Sequence, residues 1–216
     1  VGSLSKEPDR DSGWIRSFVK LGVTVIPYSS EPVGLPQGLL GKICRRLNFG
    51  EAYESVEAGL IKLARTEKPA WVHFRLPIEF SIKTILELRR MNIIVTEYFN
   101  DDPFSRKTPF GLHWKFRRAL RGFDAHFVYR KKNVDEFKKA GANIVQHCGP
   151  TYDPARHVLP DCLPEGQFLA DATFIGHWEA DWREDCLAAL IKEGFSVVIK
   201  GSGWNRKNGN PLLRNL

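Results

Sequence analysis

The sequence predicts an α/β fold, a parallel sheet with helices on both faces, followed by the beginning of a second unit of the same kind. Three observations predict it. Short apolar runs, often β-branched, recur along the chain. Stretches with apolar residues three or four positions apart lie between them. Three of those stretches close on a glycine just before the next run, at Gly22, Gly141 and Gly194. Strands apolar on both faces are those buried between helix layers. Glycine takes the left-handed position that stops a helix. Helices alternating with strands in this way build a parallel sheet.

The chain opens on Val1-Gly2-Ser3, which reads as the end of a strand and its glycine turn. Trp14, Ile15, Phe18, Val19 and Leu21 then mark a helix before a predicted strand, VTVIPY at residues 23–28. Residues 29–50 hold Pro32, Gly34, Pro36, Gly38 and Gly41 and read as a long loop. Tyr53, Val56, Leu60, Ile61 and Leu63 mark the next helix, and AWVHFR at 70–75 the next strand. Ile82, Ile85, Leu86 and Leu88 precede IIVTEYF at 93–99. DAHFVY at 124–129, a helix with Phe137 and Ala140, and NIVQHC at 143–148 follow. The proline-rich stretch 150–167 reads as a boundary, with an N-terminal domain at 1–157 and a linker plus incomplete second domain at 158–216. That second part carries ATFIG at 172–176, a helix with Leu187, Leu190 and Ile191, and FSVVIKG at 195–201. Both ends read as cut, so a fragment of a longer protein is expected.

Composition narrows the class. The 216 residues are 43% hydrophobic and 26% charged, an ordinary globular balance. The four cysteines, Cys44, Cys148, Cys162 and Cys186, lie far apart with no C-x-x-C spacing. That signals neither a zinc site nor a disulfide framework and points to a reducing, cytoplasmic compartment. No apolar run approaches the roughly 20 residues that span a bilayer, and the polar N-terminus has no signal-peptide core. The net charge is +7, and residues 103–140 hold eleven Lys or Arg against three Asp or Glu. Such a surface suits anionic partners, or is simply solvated.

In an open parallel sheet, ligands bind beyond the carboxyl ends of the strands. The residues there are Gly2, Arg75, Asn100-Asp101-Asp102-Pro103, Arg130 and, in the second unit, Gly176-His177-Trp178 and Gly201-Ser202-Gly203-Trp204. As a set they suggest a ligand cleft, with Gly2, Arg75, Asn100 and Arg130 as its candidates in the first unit. In FIGHWEADWREDCLAAL a strand ends at Gly176 and a helix begins soon after, with Arg183 in its first turn. A helix start offers backbone N–H groups to phosphate, and Arg183 could pair with an anion.

NIIVTEYFNDDP, then FDAHFVYRKKNVDEFKKAGANIVQHCGPTYDPARH, then ATFIGHWEADWREDCLAALIKEGFSVVIKGSGW resemble the CgeB-like (spore maturation protein) glycosyltransferases over residues 70–204. These are GT-B enzymes. The resemblance implies two Rossmann-like domains facing each other, an N-terminal one for the acceptor and a C-terminal one for a nucleotide-sugar. It matches Asp101 and Asp102 to the acidic pair at the cleft. It matches Gly176 to the glycine near the donor phosphates, Arg183 to the arginine of the following helix, and Gly201, Gly203 and Trp204 to the turn after the next strand. His177 joins this donor-binding set. The resemblance places the family's ribose-holding glutamate in a later region, and residues 1–216 are expected to end before it.

The expected reaction is metal-independent sugar transfer from a nucleotide-sugar to a hydroxyl of a glycan, protein or lipid-linked acceptor. No cofactor is expected beyond that co-substrate. Asp102 or Asp101 is the expected base, its pKa raised by the like charge beside it. A metal is not expected. Asp101-Asp102 is not the Asp-x-Asp spacing, Asp9-Arg10-Asp11 reads as helix capping, and the six histidines show no H-x-x-x-H spacing. The alternative is a non-catalytic module that binds nucleic acid or another anionic surface through WKFRRALRGF and the RKK at Arg130 to Lys132. There Trp114, Ala119 and Phe123 would be core if the stretch is helical. A third possibility is a degenerate paralogue with a scaffolding role.

Overall fold

The computed structural model describes residues 1–2, 8–105, 111–149, 151–154, 170–205 and 213, with side chains of the first helix from residue 13 onward. Most of the proline-rich boundary, Cys162, the side chains of Asp9 and Asp11 and nearly all of the last eleven residues lie outside them. The chain forms two compact units, Val1–Val158 and Leu159–Leu216.

In the first unit four parallel strands run in sequence order: β1 (Trp71–Arg75), β2 (Ile94–Phe99), β3 (Ala125–Val128) and β4 (Val145–His147). Its helices are α1 (Pro8–Lys20), α2 (Gly38–Leu47), α3 (Glu51–Glu67), α4 (Ile82–Arg90), α5 (Trp114–Ala119) and α6 (Lys131–Lys139), with a 3₁₀ turn at Leu120–Gly122. Side chains alternate across each strand. One face, with Val72, Phe74, Val95, Phe99 and Val128, packs on Val56, Leu60, Ile85, Leu88, Phe116 and Phe137 from α3 to α6. The other face presents Trp71, His73, Tyr98 and Phe127, which meet Trp14 and Phe18 of α1 in a chain of ring contacts. The sheet is therefore flanked by helices on both sides, as the doubly apolar strands predict.

Two elements differ from the sequence expectation. Residues 29–50 contain α2, where a loop is expected. Gly41 within it is not a breaker: a Cβ there would lie 1.7 Å from the carbonyl oxygen of Pro36, so glycine is there for close packing. Residues 23–28 form no ladder, where a strand is expected. Only an isolated parallel bridge joins Ser29 to Gly2. A strand needs neighbours for its N–H and C=O groups, and among the described residues the backbone bonds of 23–28 are those of Val23 to Phe18 and of Tyr28 to Gly2.

That short piece still sets the topology. Val1 donates to His73 O at 2.8 Å and accepts from Arg75 N–H at 2.9 Å. Gly2 donates to Tyr28 O and accepts from Ser30 N–H. The chain thus goes one way from Gly2 to Ser29 and the other way from β1 to β4. The point of reversal lies between Gly2 and β1.

The second unit pairs β5 (Ala172–Ile175) with β6 (Val197–Lys200) in parallel, with α7 (Arg183–Lys192) between them in sequence. Leu187, Val197, Ile199, Trp204 and Leu213 form its core. Among the described residues no helix is long and apolar enough to cross a membrane.

Candidate functional site

The carboxyl ends of the first unit's strands gather Gly2, Arg75, Asn100, Asp101, Asp102 and Arg130, as the sequence predicts for a parallel sheet. Gly2 is buried in its bridge, and Arg75 and Asn100 are half-buried. Arg130 is exposed and caps α6, its carbonyl accepting from Asn133 N–H at 2.9 Å. Asn100 Oδ1 is buried and makes no hydrogen bond.

The acidic pair is split. Asp101 is exposed, whereas Asp102 is 8% exposed. Asp102 accepts from Phe104 N–H at 3.1 Å and Asn133 Nδ2 at 3.0 Å, and forms an ion pair with Lys132. Burial alone raises a carboxyl pKa, but these three donors outweigh it and hold Asp102 below its ordinary value. This corrects the expectation that Asp101 pushes it up. A carboxylate so satisfied is a weak base; it ties the loop after β2 to the start of α6.

A different acid has the properties expected of a base. Glu79 lies in the turn after β1, beside the point of reversal. Its Oε2 is buried without a hydrogen-bond partner. Desolvation, reinforced by the charge of Glu31, raises its pKa to about 7 against the opposing pull of Lys115. Glu79 in turn helps burial raise the pKa of Tyr53 on α3. The turn is held from below. Lys115 donates to Glu79 O at 2.7 Å and pairs with Glu57 at 2.7 Å. Glu57 also accepts from Ser81 N–H, Ser81 Oγ and Thr84 Oγ1, and Lys115 together with these donors holds its carboxyl below the ordinary value despite burial. No motif marked Glu79; the only sequence signal was an acid among apolar residues, Pro77-Ile78-Glu79-Phe80, just past a strand end.

The basic stretch is thinner than its composition. Lys115 is buried in the network above and Lys132 is held by Asp102. Arg121 donates to Ala140 O. In α5, Phe116 and Ala119 are fully buried, with Phe123 just beyond, while Trp114 is only half-buried with Arg118 over its ring.

In the second unit the predicted donor residues do come together, but they satisfy one another. Trp204 Nε1 donates to Gly176 O at 2.8 Å. A Cβ on Gly201, which has φ 153°, would lie 2.0 Å from that same oxygen. Gly203, with φ 85°, turns against Trp178. His177 pairs with Glu179 at 3.0 Å. Arg183 binds Asp181 at 2.9 Å, Glu179 at 3.4 Å and His177 O at 3.0 Å. Asp181 also accepts Arg183 N–H, and Glu184 and Asp185 follow in the first turn. The start of α7 is thus already neutralised by carboxylates, which corrects the expectation of N–H groups and a guanidinium open to phosphate. Among the described residues no group of three His, Cys, Asp or Glu could hold a metal ion.

No protein-family model and no curated protein matches the chain. Among solved structures, the crystal structure of Glycyrrhiza uralensis UGT73P12 complexed with glycyrrhetinic acid 3-O-monoglucuronide is similar to it at 10% sequence identity and a TM-score of 0.49. The likeness covers 94% of this chain and 56% of that one. The chain therefore spans little more than half the length of that structure.

Proposed function

We propose that the chain contains an acceptor-side unit and a donor-side unit of an enzyme that moves a sugar from a nucleotide-sugar to a hydroxyl. The observation that carries this reading is Glu79, a carboxyl with a pKa of about 7 at the carboxyl edge of a parallel sheet, next to its point of reversal. Ligands of such sheets bind there. A group that is half ionised near neutrality is both available as a base and strong enough to act as one. The sequence resemblance to GT-B enzymes supplies the reaction class.

In this reading an acceptor hydroxyl gives its proton to Glu79 as its oxygen attacks the anomeric carbon and the nucleotide leaves with the bond electrons. Lys115 and Glu57 fix the turn that carries Glu79. Arg75 and Asn100 line the same edge and orient the acceptor. Asp102 holds the loop and takes no proton.

Turnover of a panel of nucleotide-sugars with hydroxyl acceptors tests the reading. Wild type is expected to transfer sugar, and Glu79→Gln to lose at least about 100-fold in rate, with its melting temperature kept at pH 6. Undiminished transfer by Glu79→Gln overturns the assignment of the base. Wild type that neither turns over nor is stabilised by any nucleotide-sugar overturns the reading for this chain.

A further inference from the structure

Helix α2 is turned inside out. A surface helix ordinarily sets its large apolar residues toward the core and its charged ones toward water. The stripe of α2 that packs inward is instead Gly41, Cys44 and, at the cap, Asn48, all buried. Gly41 lies against Pro36 O, and Asn48 Nδ2 donates to Leu112 O at 3.0 Å. Leu39, Leu40 and Ile43 face outward and are 74%, 58% and 40% exposed.

The exposed residues are sorted by side. At about 3.6 residues per turn, Leu39, Ile43 and Leu47 follow one line, with Leu40 beside it. Lys42, Arg45 and Arg46 follow the neighbouring line, and all three are exposed. The helix GLLGKICRRL holds no acid. An apolar stripe thus runs along the outside with a cationic stripe at one edge. The surface continues past the end of the helix. Trp114 Nε1 donates to Leu47 O, which sets the half-buried indole at the end of α2. Arg118 lies over that ring, 5.9 Å from its centre, and is exposed together with Arg117.

Single exposed apolar residues need no explanation, but a contiguous set marks an interaction surface. A nucleic acid would use the cations and leave the aliphatic stripe bare, since α2 has no aromatic side chain on which a base could stack. A second copy on the same stripe would bring two sets of α2 cations together with no α2 acid between them. An anionic bilayer satisfies both stripes at once. Leucine and isoleucine enter the acyl boundary, lysine and arginine reach the phosphates beside it, and an indole suits the headgroup level.

We infer that α2, with Trp114 and Arg118 at its end, is the surface by which the protein lies on an anionic lipid bilayer, the helix axis in the membrane plane. The inference stands apart from the reaction proposed above, because docking does not require that the chain transfer sugar.

Flotation with vesicles of phosphatidylcholine, alone or with about 30% phosphatidylglycerol, tests it. Wild type is compared with the double variants Leu39→Ser/Ile43→Ser and Lys42→Gln/Arg45→Gln. All four positions are exposed, so melting temperatures are expected to stay within about 2 °C of wild type. Wild type is expected to float with the anionic vesicles only. Each double variant is expected to need at least about tenfold more lipid for half-maximal binding. Wild type that floats with neither vesicle overturns the inference, whether or not it binds RNA. So does flotation that Leu39→Ser/Ile43→Ser leaves unchanged, which would mean adsorption by charge alone at another surface. A wild-type dimer in sedimentation that the same variant dissociates would put a second copy on the stripe and overturns it as well.

Discussion

Glu97 on β2 and His126 on β3 face each other across the parallel ladder, both fully buried, with Oε1 2.7 Å from Nδ1. Nε2 of His126 lies 3.0 Å from Leu120 O, and a carbonyl only accepts, so Nε2 carries a hydrogen. Burial pushes the Glu97 carboxyl up, and its Oε2 has no partner. A protonated Glu97 donating to Nδ1 accounts for all three observations. Glu97→Gln, whose amide also donates, is expected to cost less than about 1 kcal/mol, whereas Glu97→Ala costs about 3 kcal/mol. Urea unfolding of the two variants checks the contrast; equal losses would mean that the pair is ionic.

Asp102→Asn is expected to destabilise by about 1–2 kcal/mol at neutral pH, because it weakens a charged hydrogen-bond cluster. The folded pKa lies below the ordinary 3.8. The stabilisation is therefore present above 3.8 and is lost as pH falls through the folded value. Melting curves of wild type and variant should differ most above pH 4 and converge in stronger acid. Sugar transfer, where measurable, is expected to survive.

Glu79 gives the opposite slope. Its folded pKa of about 7 lies above the ordinary 4.5. The folded state binds the extra proton between those values, so stability is highest below 4.5 and falls until about 7. Glu79→Gln cannot ionise. Its melting temperature relative to wild type should rise from pH 4.5 to pH 7 and then level off, as a paired pH series would show.

Gly41→Ala places a methyl 1.7 Å from Pro36 O, a backbone atom that cannot swing aside. A loss of about 3 kcal/mol is expected. Gly22→Ala meets no atom within 4 Å but keeps a left-handed φ of 79°, so about 1 kcal/mol is expected there. Chemical denaturation of both separates packing from backbone strain.

Periodicity was enough to find the four strands of the first sheet, because each is a local apolar run. It failed where glycine had a tertiary purpose, as at Gly41, and where a strand-like run had no ladder, as at residues 23–28. The carboxyl-edge residues were legible from topology alone. Their electrostatics were not: Asp102 is governed by Lys132 and Asn133 some thirty positions away, and Glu79 by the burial that folding imposes. The closed shell around Arg183 depends on how the turn after β5 curls, which spacing does not encode.

The aromatic cluster on the α1 face carries a built-in optical probe. Trp14 and Trp71 are two of the six indoles, and both lie against His73 at 5.4–5.7 Å between ring centres. Burial and the nearby Val1 ammonium hold His73 down to about 4, so its ring is uncharged across the physiological range. Any change in how α1 packs on β1 alters the solvent around those two indoles first. Emission wavelength and acrylamide quenching can therefore report that packing without a label.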